Sequence, residues 1–204
     1  MSTLSLEEWF PIPIWYTRLE EITDAEEAEA IAYCKYKQDN LPGWRKVSNV
    51  GGWQSEDLYL NEIQSTPLGK YFILIKPLLA QCLKDLDSSL QTLSIDNIWI
   101  NINGKEHYNT PHTHGESILS GVFYLSKNNS NINFIRNTDI STYFLDNVRS
   151  RNNTPISFRH LKYLPLNKTL YIFPGWLIHS VEENKQLNER ISISFNVIKE
   201  YDKI

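Results

Sequence analysis

Cysteine is scarce in this chain: Cys34 and Cys82 are the only two among 204 residues, and they show neither a CxxC motif nor a zinc-like spacing. That excludes a disulfide framework and predicts two reduced thiols serving as packing residues. No run of about 18 apolar residues exists, so no transmembrane helix is expected. The first residues, Met1-Ser2-Thr3-Leu4-Ser5-Leu6-Glu7-Glu8, lack the basic segment and apolar core of a signal peptide. A soluble, cytoplasmic protein is the expectation. Basic charge is not in excess either: 20 Lys and Arg stand against 24 Asp and Glu, for a net charge of −4 and a pI near 5.7. A nucleic-acid binder relying on a broad basic face is excluded on that ground. Internal repeats and low-complexity blocks are absent, so nothing divides the chain.

What is present is 41% hydrophobic content over a length that can bury one substantial core. A single domain over 1–204 is expected, with residues 1–92 as helical support and an N-terminal arm, and 93–204 as a β-rich core. Leu6 to Leu19 is aromatic and interrupted by Pro11 and Pro13, which suits an edge strand at the rim, because proline cannot donate to a central ladder. Such an exposed edge permits a homodimer. Thr23-Asp24-Ala25-Glu26 has the form of a capping box, and apolar residues at helical spacing predict a helix from Asp24 to Lys37 with a wet, Glu-rich face. Pro67 to Leu86 reads as a second helix, interrupted or kinked at Pro77. From Leu93 the period changes to two: Ile95, Ile98, Ile100 and Ile102 fall near one face, Trp99, Asn101 and Asn103 on the other. Further strands are expected near 118–126, 132–136, 157–164, 170–173 and 190–199. The polar stretch 137–155 reads as a long loop suited to a lid. Helices followed by many strands define an α+β chain.

The chemistry is concentrated in Pro111-His112-Thr113-His114-Gly115-Glu116, answered downstream by Phe173-Pro174-Gly175-Trp176-Leu177-Ile178-His179 and then Arg190-Ile191-Ser192. Side chains two apart on extended backbone point the same way, so His112 and His114 can converge on one ion, and the same parity reaches Glu116, Ser120, Val122 and Tyr124. Arg190, Ser192, Ser194 and Asn196 share one face of the last strand, opposite a wholly apolar face. A lone HxH is a weak signal, and an isolated arginine is most often a surface residue. Order, spacing and strand context together raise both. His107 and His160 lack that context and read as loop or surface residues.

Together with Trp99-Ile100-Asn101-Ile102-Asn103, Leu119-Ser120-Gly121-Val122-Phe123-Tyr124-Leu125 and Glu189-Arg190-Ile191-Ser192-Ile193-Ser194-Phe195-Asn196, these segments resemble the non-haem iron and 2-oxoglutarate dependent oxygenases. More narrowly, they are similar to the 2OG-Fe(II) oxygenases found in bacteria and their viruses. The likeness runs from about Phe10 onward and includes Gly52-Trp53-Gln54-Ser55.

The resemblance implies a double-stranded β-helix, a jelly-roll or cupin-like barrel backed by the N-terminal helices. It also implies Fe(II) and 2-oxoglutarate as cofactors, with O2 as the third reactant, and hydroxylation of a protein, peptide or small-molecule substrate. The superfamily's ligands are His-x-Asp/Glu and a distant His. This chain departs from that, since His114 stands where the carboxylate is expected. His112, His114 and His179 are the assigned ligands, with Glu116 as the alternative carboxylate. The same resemblance assigns Arg190 to the distal carboxylate of 2-oxoglutarate, Ser192 as its helper and Tyr124 as a further donor. Asn101, Asn103, Asn196 and Trp176 are candidate pocket residues. The missing aspartate keeps a three-histidine, cupin-like dioxygenase without 2-oxoglutarate open, and the strand pattern keeps a non-enzymatic jelly-roll binding module open.

Overall fold

The computed structural model describes residues 12–43, 48–88, 90, 92–136 and 158–199. Strand β1 (Trp15–Arg18) precedes helix α1 (Asp24–Asn40), the short strands β2 (Asn49–Val50) and β3 (Trp53–Gln54), and helices α2 (Leu60–Ile63) and α3 (Gly69–Asp85). Then come β4 (Leu93–Asn103), β5 (Tyr108–His112), β6 (Leu119–Tyr124) and β7 (Ile132–Ile135). The chain closes with β8 (His160–Tyr163), β9 (Thr169–Pro174), β10 (Ile178–Val181) and β11 (Arg190–Lys199). The expected lid at 137–155 and the arm before residue 12 lie outside the described residues.

The strands form two antiparallel sheets, ordered β1-β9-β6-β11-β4-β3 and β2-β5-β10-β7-β8. This is the double-stranded β-helix that the resemblance implied. The larger sheet has two different faces, and the alternation in β11 shows why. Ile191, Ile193, Phe195 and Val197 are buried against the helices, where Phe72 of α3 meets both Phe123 and Phe195 edge-on, with ring centroids 5.7 and 5.6 Å apart. Each such ring removes well over 100 Å² from water, so this layer carries most of the hydrophobic stabilisation. The opposite face looks into the barrel. There Val122, Tyr124, Tyr171 and Phe173 pack on Ile132 and Phe134 of the smaller sheet and close one end.

Local chemistry places the elements. Thr23 and Glu26 form the expected reciprocal capping box at α1. Glu27 departs from the wet face foreseen for this helix: it is buried, and Asn167 Nδ2 donates to its carboxylate at 3.3 Å. Burial raises its pKa. Helix α3 runs through Pro77 without a break, because that residue sits on the exposed side, where the carbonyl it leaves unpaired meets water. Both cysteines are free and buried, as expected, and burial pushes each thiol up to about 12.

Ile95 and Ile98 both face the helices although they are three apart. The β4–β11 register explains it: Phe195 pairs with Ile98 and Val197 with Ile95, so β4 carries one extra residue there.

Candidate active site

Two strands with no apolar alternation carry the histidines. β5 is Tyr-Asn-Thr-Pro-His, and β10 pairs with it so that His179 lies directly opposite His112. His114 follows β5 in a turn whose backbone is tied to the β9–β10 connection: His114 N donates to Gly175 O at 2.7 Å. Gly175 is required there, since a Cβ would stand 2.2 Å from Ser117 O and 2.7 Å from His114 O. The turn also ends the parity argument. His114 and β6 do not share one strand, although Val122 and Tyr124 do reach the same cavity.

The three rings converge, with centroids 4.2 Å apart for His112 and His179, 5.0 Å for His114 and His179, and 5.2 Å for His112 and His114. Their ligand nitrogens all lie within 4.8 Å of one another, and no other group of this kind occurs among the described residues. Hydrogen bonds decide which nitrogen is free. His112 Nδ1 meets Thr110 O at 2.8 Å and His179 Nδ1 meets Leu177 O at 2.9 Å. A carbonyl only accepts, so both Nδ1 atoms carry the proton and both Nε2 atoms keep a lone pair. His114 Nδ1 meets Asn196 Oδ1 at 2.6 Å, with the same result.

Burial lowers the pKa of all three, reinforced at His112 by His114 and at His179 by His112. His179, the most enclosed, falls to about 3. Three neutral imidazoles with unprotonated Nε2 atoms are a donor set that fits a first-row divalent ion. Glu116 lines the same cavity but stands outside this group.

The cavity has a volume near 710 Å³ and lies between the sheets. Arg190 enters it from β11 and is 2% exposed. Its Nε and Nη1 have no hydrogen-bond partner among the described residues, and Nη2 reaches only Asn109 Oδ1, at 3.5 Å. A buried guanidinium without an anion costs several kcal/mol, on the order of the effective desolvation penalty of a single ion. Burial accordingly lowers its pKa, partly offset by nearby Tyr124, whose own phenol burial drives upward. Ser192 stands two residues along the same face and pairs in register with Tyr124.

Asn101, Asn196 and Trp99 also line the cavity. Asn103 is buried behind the wall, where its Nδ2 donates to Asn109 Oδ1 at 3.1 Å, and Trp176 is 48% exposed, outside the lining. His107 holds a turn by accepting from Gly104 N at 3.0 Å, and His160 is exposed on β8.

Two lining residues escaped the sequence reading. Asn109 Nδ2 donates to Ser48 Oγ at 3.2 Å, and Ser48 Oγ lies 3.4 Å from His112 Nε2. The pair therefore connects the guanidinium to the imidazole cluster. Strict alternation would put Asn109 and His112 on opposite faces, but the β5–β10 register shifts between them and both face inward.

The jelly-roll barrel thus brings three imidazoles that could hold a metal ion into one cavity with a buried arginine two of whose nitrogens have no partner among the described residues. The family model described as "Putative 2OG-Fe(II) oxygenase" matches residues 97–196, the stretch that holds all three histidines and Arg190, and over that stretch the chain is similar to these iron- and 2-oxoglutarate-dependent oxidoreductases. Solved structures share the fold at low identity. A prolyl-4-hydroxylase from Pseudomonas putida matches with a TM-score of 0.65 at 11% identity, covering 93% of this chain and 94% of that one. A prolyl hydroxylase from Trichoplax adhaerens, solved with a peptide fragment of a hypoxia inducible factor oxygen degradation domain, gives 0.64 at 11% identity, covering 91% and 83%. HygX from Streptomyces hygroscopicus, solved with nickel and 2-oxoglutarate bound, gives 0.61 at 11% identity, covering 94% and 84%. No curated protein matches the chain significantly. Among the described residues no helix is long and apolar enough to cross a membrane.

Proposed function

We propose that the chain, read as one domain over 1–204, is an Fe(II)- and 2-oxoglutarate-dependent dioxygenase that hydroxylates an organic substrate. His112, His114 and His179 hold the metal, and Arg190, Ser192 and Tyr124 hold the far carboxylate of the cosubstrate. The observation that carries the reading is Arg190: a buried cation with two unpartnered donor atoms shares one cavity with the histidine cluster. A dicarboxylate bound in that cavity would give the guanidinium its missing anion. A three-histidine enzyme without 2-oxoglutarate leaves that guanidinium unexplained. The free, buried thiols of Cys34 and Cys82 support a reducing, cytoplasmic setting.

When bound, iron(II) with O2 and 2-oxoglutarate supplies the oxidation, in which the cosubstrate becomes succinate and CO2 and a substrate C–H becomes C–OH. The protein contributes binding and order. The three neutral imidazoles of His112, His114 and His179 would hold the ion through their Nε2 atoms. Thr110 O, Leu177 O and Asn196 Oδ1 keep each ring in the tautomer that presents Nε2. Arg190 offers planar, charge-assisted donors that a carboxylate can take two at a time. Val122, Ile132 and Phe173 give the same cavity apolar walls that restrict water.

Anaerobic titration of the ferrous protein with 2-oxoglutarate tests the reading. A saturable visible charge-transfer band is expected, and succinate should form when O2 is admitted. Absence of both the band and succinate would overturn the assignment.

A further inference from the structure

We propose that Asn196 is the positioning residue that makes His114 a metal ligand, by fixing its tautomer and ring orientation; this rests on the metal-binding reading of His112, His114 and His179 above. His114 occupies the place where the family resemblance expects a carboxylate. A carboxylate can meet a cation through either oxygen, whereas a neutral imidazole offers one lone pair, on whichever nitrogen lacks the proton. For His112 and His179 that choice is made locally, by the carbonyl two residues earlier in each chain segment. For His114 it is made by a side chain 82 residues away, at 2.6 Å.

An amide facing an imidazole can present its oxygen or its NH2, with opposite consequences. Oxygen keeps the proton on Nδ1 and leaves Nε2 open to a cation. The NH2 group would move the imidazole proton to Nε2 and block it. The structure holds the first orientation: Asn196 Oδ1 faces His114 Nδ1, and Ser120, 1% exposed and opposite Asn196 in the β6–β11 register, donates from Oγ to the same Oδ1 at 2.9 Å. The Trp99 ring, 5.5 Å from that of His114, bounds its other side. Asn196 thus does for a histidine in the carboxylate position what Thr110 and Leu177 carbonyls do for the other two. It does so without adding negative charge to the site.

The test titrates metal-free, full-length protein with Co2+ at about pH 8 and follows the visible d–d absorption. The wild type is expected to saturate at one equivalent. A wild type with no saturable band counts against the metal reading itself, and this inference falls with it. Asn196→Ala is expected to weaken Co2+ binding about ten- to a hundredfold, with an altered band. Asn196→Asp keeps the acceptor and is expected to bind as tightly as the wild type or tighter. Asn196→Ala with wild-type affinity and an unchanged band overturns the proposal. Should circular dichroism show that Asn196→Ala does not fold without metal, Asn196→Asp decides alone: binding at least as tight supports the proposal, and roughly tenfold weaker binding overturns it.

Discussion

Arg190 and Asn109 meet at 3.5 Å, Nη2 to Oδ1, and that long contact is the only hydrogen bond the guanidinium makes among the described residues. A cation so placed raises the free energy of the empty protein and lowers that of the complex with a dicarboxylate. The two effects have opposite signs, and one substitution can separate them. Arg190→Met should stabilise the ligand-free protein by about 1–3 kcal/mol in a denaturant melt, because it removes an unsatisfied charged group. It should also weaken 2-oxoglutarate binding by roughly a hundredfold, through loss of about 3 kcal/mol of charge-assisted hydrogen bonding. Arg190→Lys should recover little of that affinity, since an ammonium cannot present a planar pair of donors.

Ser48 gives a smaller and reversed effect. Its hydroxyl accepts from Asn109 Nδ2 at 3.2 Å, so its own proton points to His112 Nε2, 3.4 Å away. A metal on that nitrogen must displace this hydrogen bond. Ser48→Ala should therefore tighten Co2+ binding by roughly two- to tenfold, the equivalent of one modest hydrogen bond. Equal or weaker binding, read from the same titration, would show that the contact does not compete with the metal.

These two examples also show what the sequence could reveal. His112 and His114 were legible as a pair because side chains two apart on extended backbone point the same way, although His114 lies in the turn after β5, and His179 was legible only through its place in the family resemblance. The polar face of β11 was legible because Arg190, Ser192, Ser194 and Asn196 alternate with four buried apolar residues. Asn109 was not, since β5 lacks apolar alternation and the register shift between Asn109 and His112 cancels parity. Pro111 further disguises β5 as a loop, since proline is rare inside a ladder, yet the pairing with β2 at Tyr108 and Asn109 runs on through Thr110 N, which donates to Ser48 O at 2.8 Å. Glu27 was misread as wet because the groups that bury it, around Asn167, belong to a segment far away in the chain.

Metal binding should be visible as stability. A ligand that binds only the folded state adds about 2.7 kcal/mol at a hundredfold excess over its dissociation constant, which is roughly 5–10 °C in melting temperature for a chain of this size. Scanning fluorimetry with Fe2+ (anaerobic) or Co2+ should show that rise in the wild type. His112→Ala should abolish it and leave the metal-free melting temperature within about 2 °C, because His112 lies at the end of β5 and is only half-buried. An unchanged rise in His112→Ala would exclude that residue as a ligand.

Gly121 and Gly175 separate packing from site geometry. A Cβ on Gly121 would stand 2.1 Å from Phe195 Cζ, on the helix side of the sheet. Gly121→Ala should cost about 1–3 kcal/mol of stability by overpacking while leaving Co2+ affinity unchanged. Gly175→Ala pushes instead on Ser117 O and His114 O, backbone atoms of the turn that carries a ligand. It should weaken Co2+ binding by at least about tenfold, since a ligand must be held within about half an ångström of its working position. Equal loss of metal affinity in both variants would refute the separation.

Acid should loosen the N-terminal helix through Glu26. Hydrogen bonding with Lys70, at 2.8 Å, and then with the Thr23 backbone and hydroxyl lowers its pKa to about 2. The folded state thus prefers the ionised carboxylate. The resulting stability is fully present above the ordinary glutamate value of about 4.5 and is lost as pH falls from there through about 2. Below that range the wild type and Glu26→Gln should approach one another, since the wild-type carboxyl is then protonated in both states. Thermal melts between about pH 6 and 2 should show a shallower loss of stability in Glu26→Gln than in the wild type. Parallel curves through the whole range would mean that the capping carboxylate is not coupled to folding.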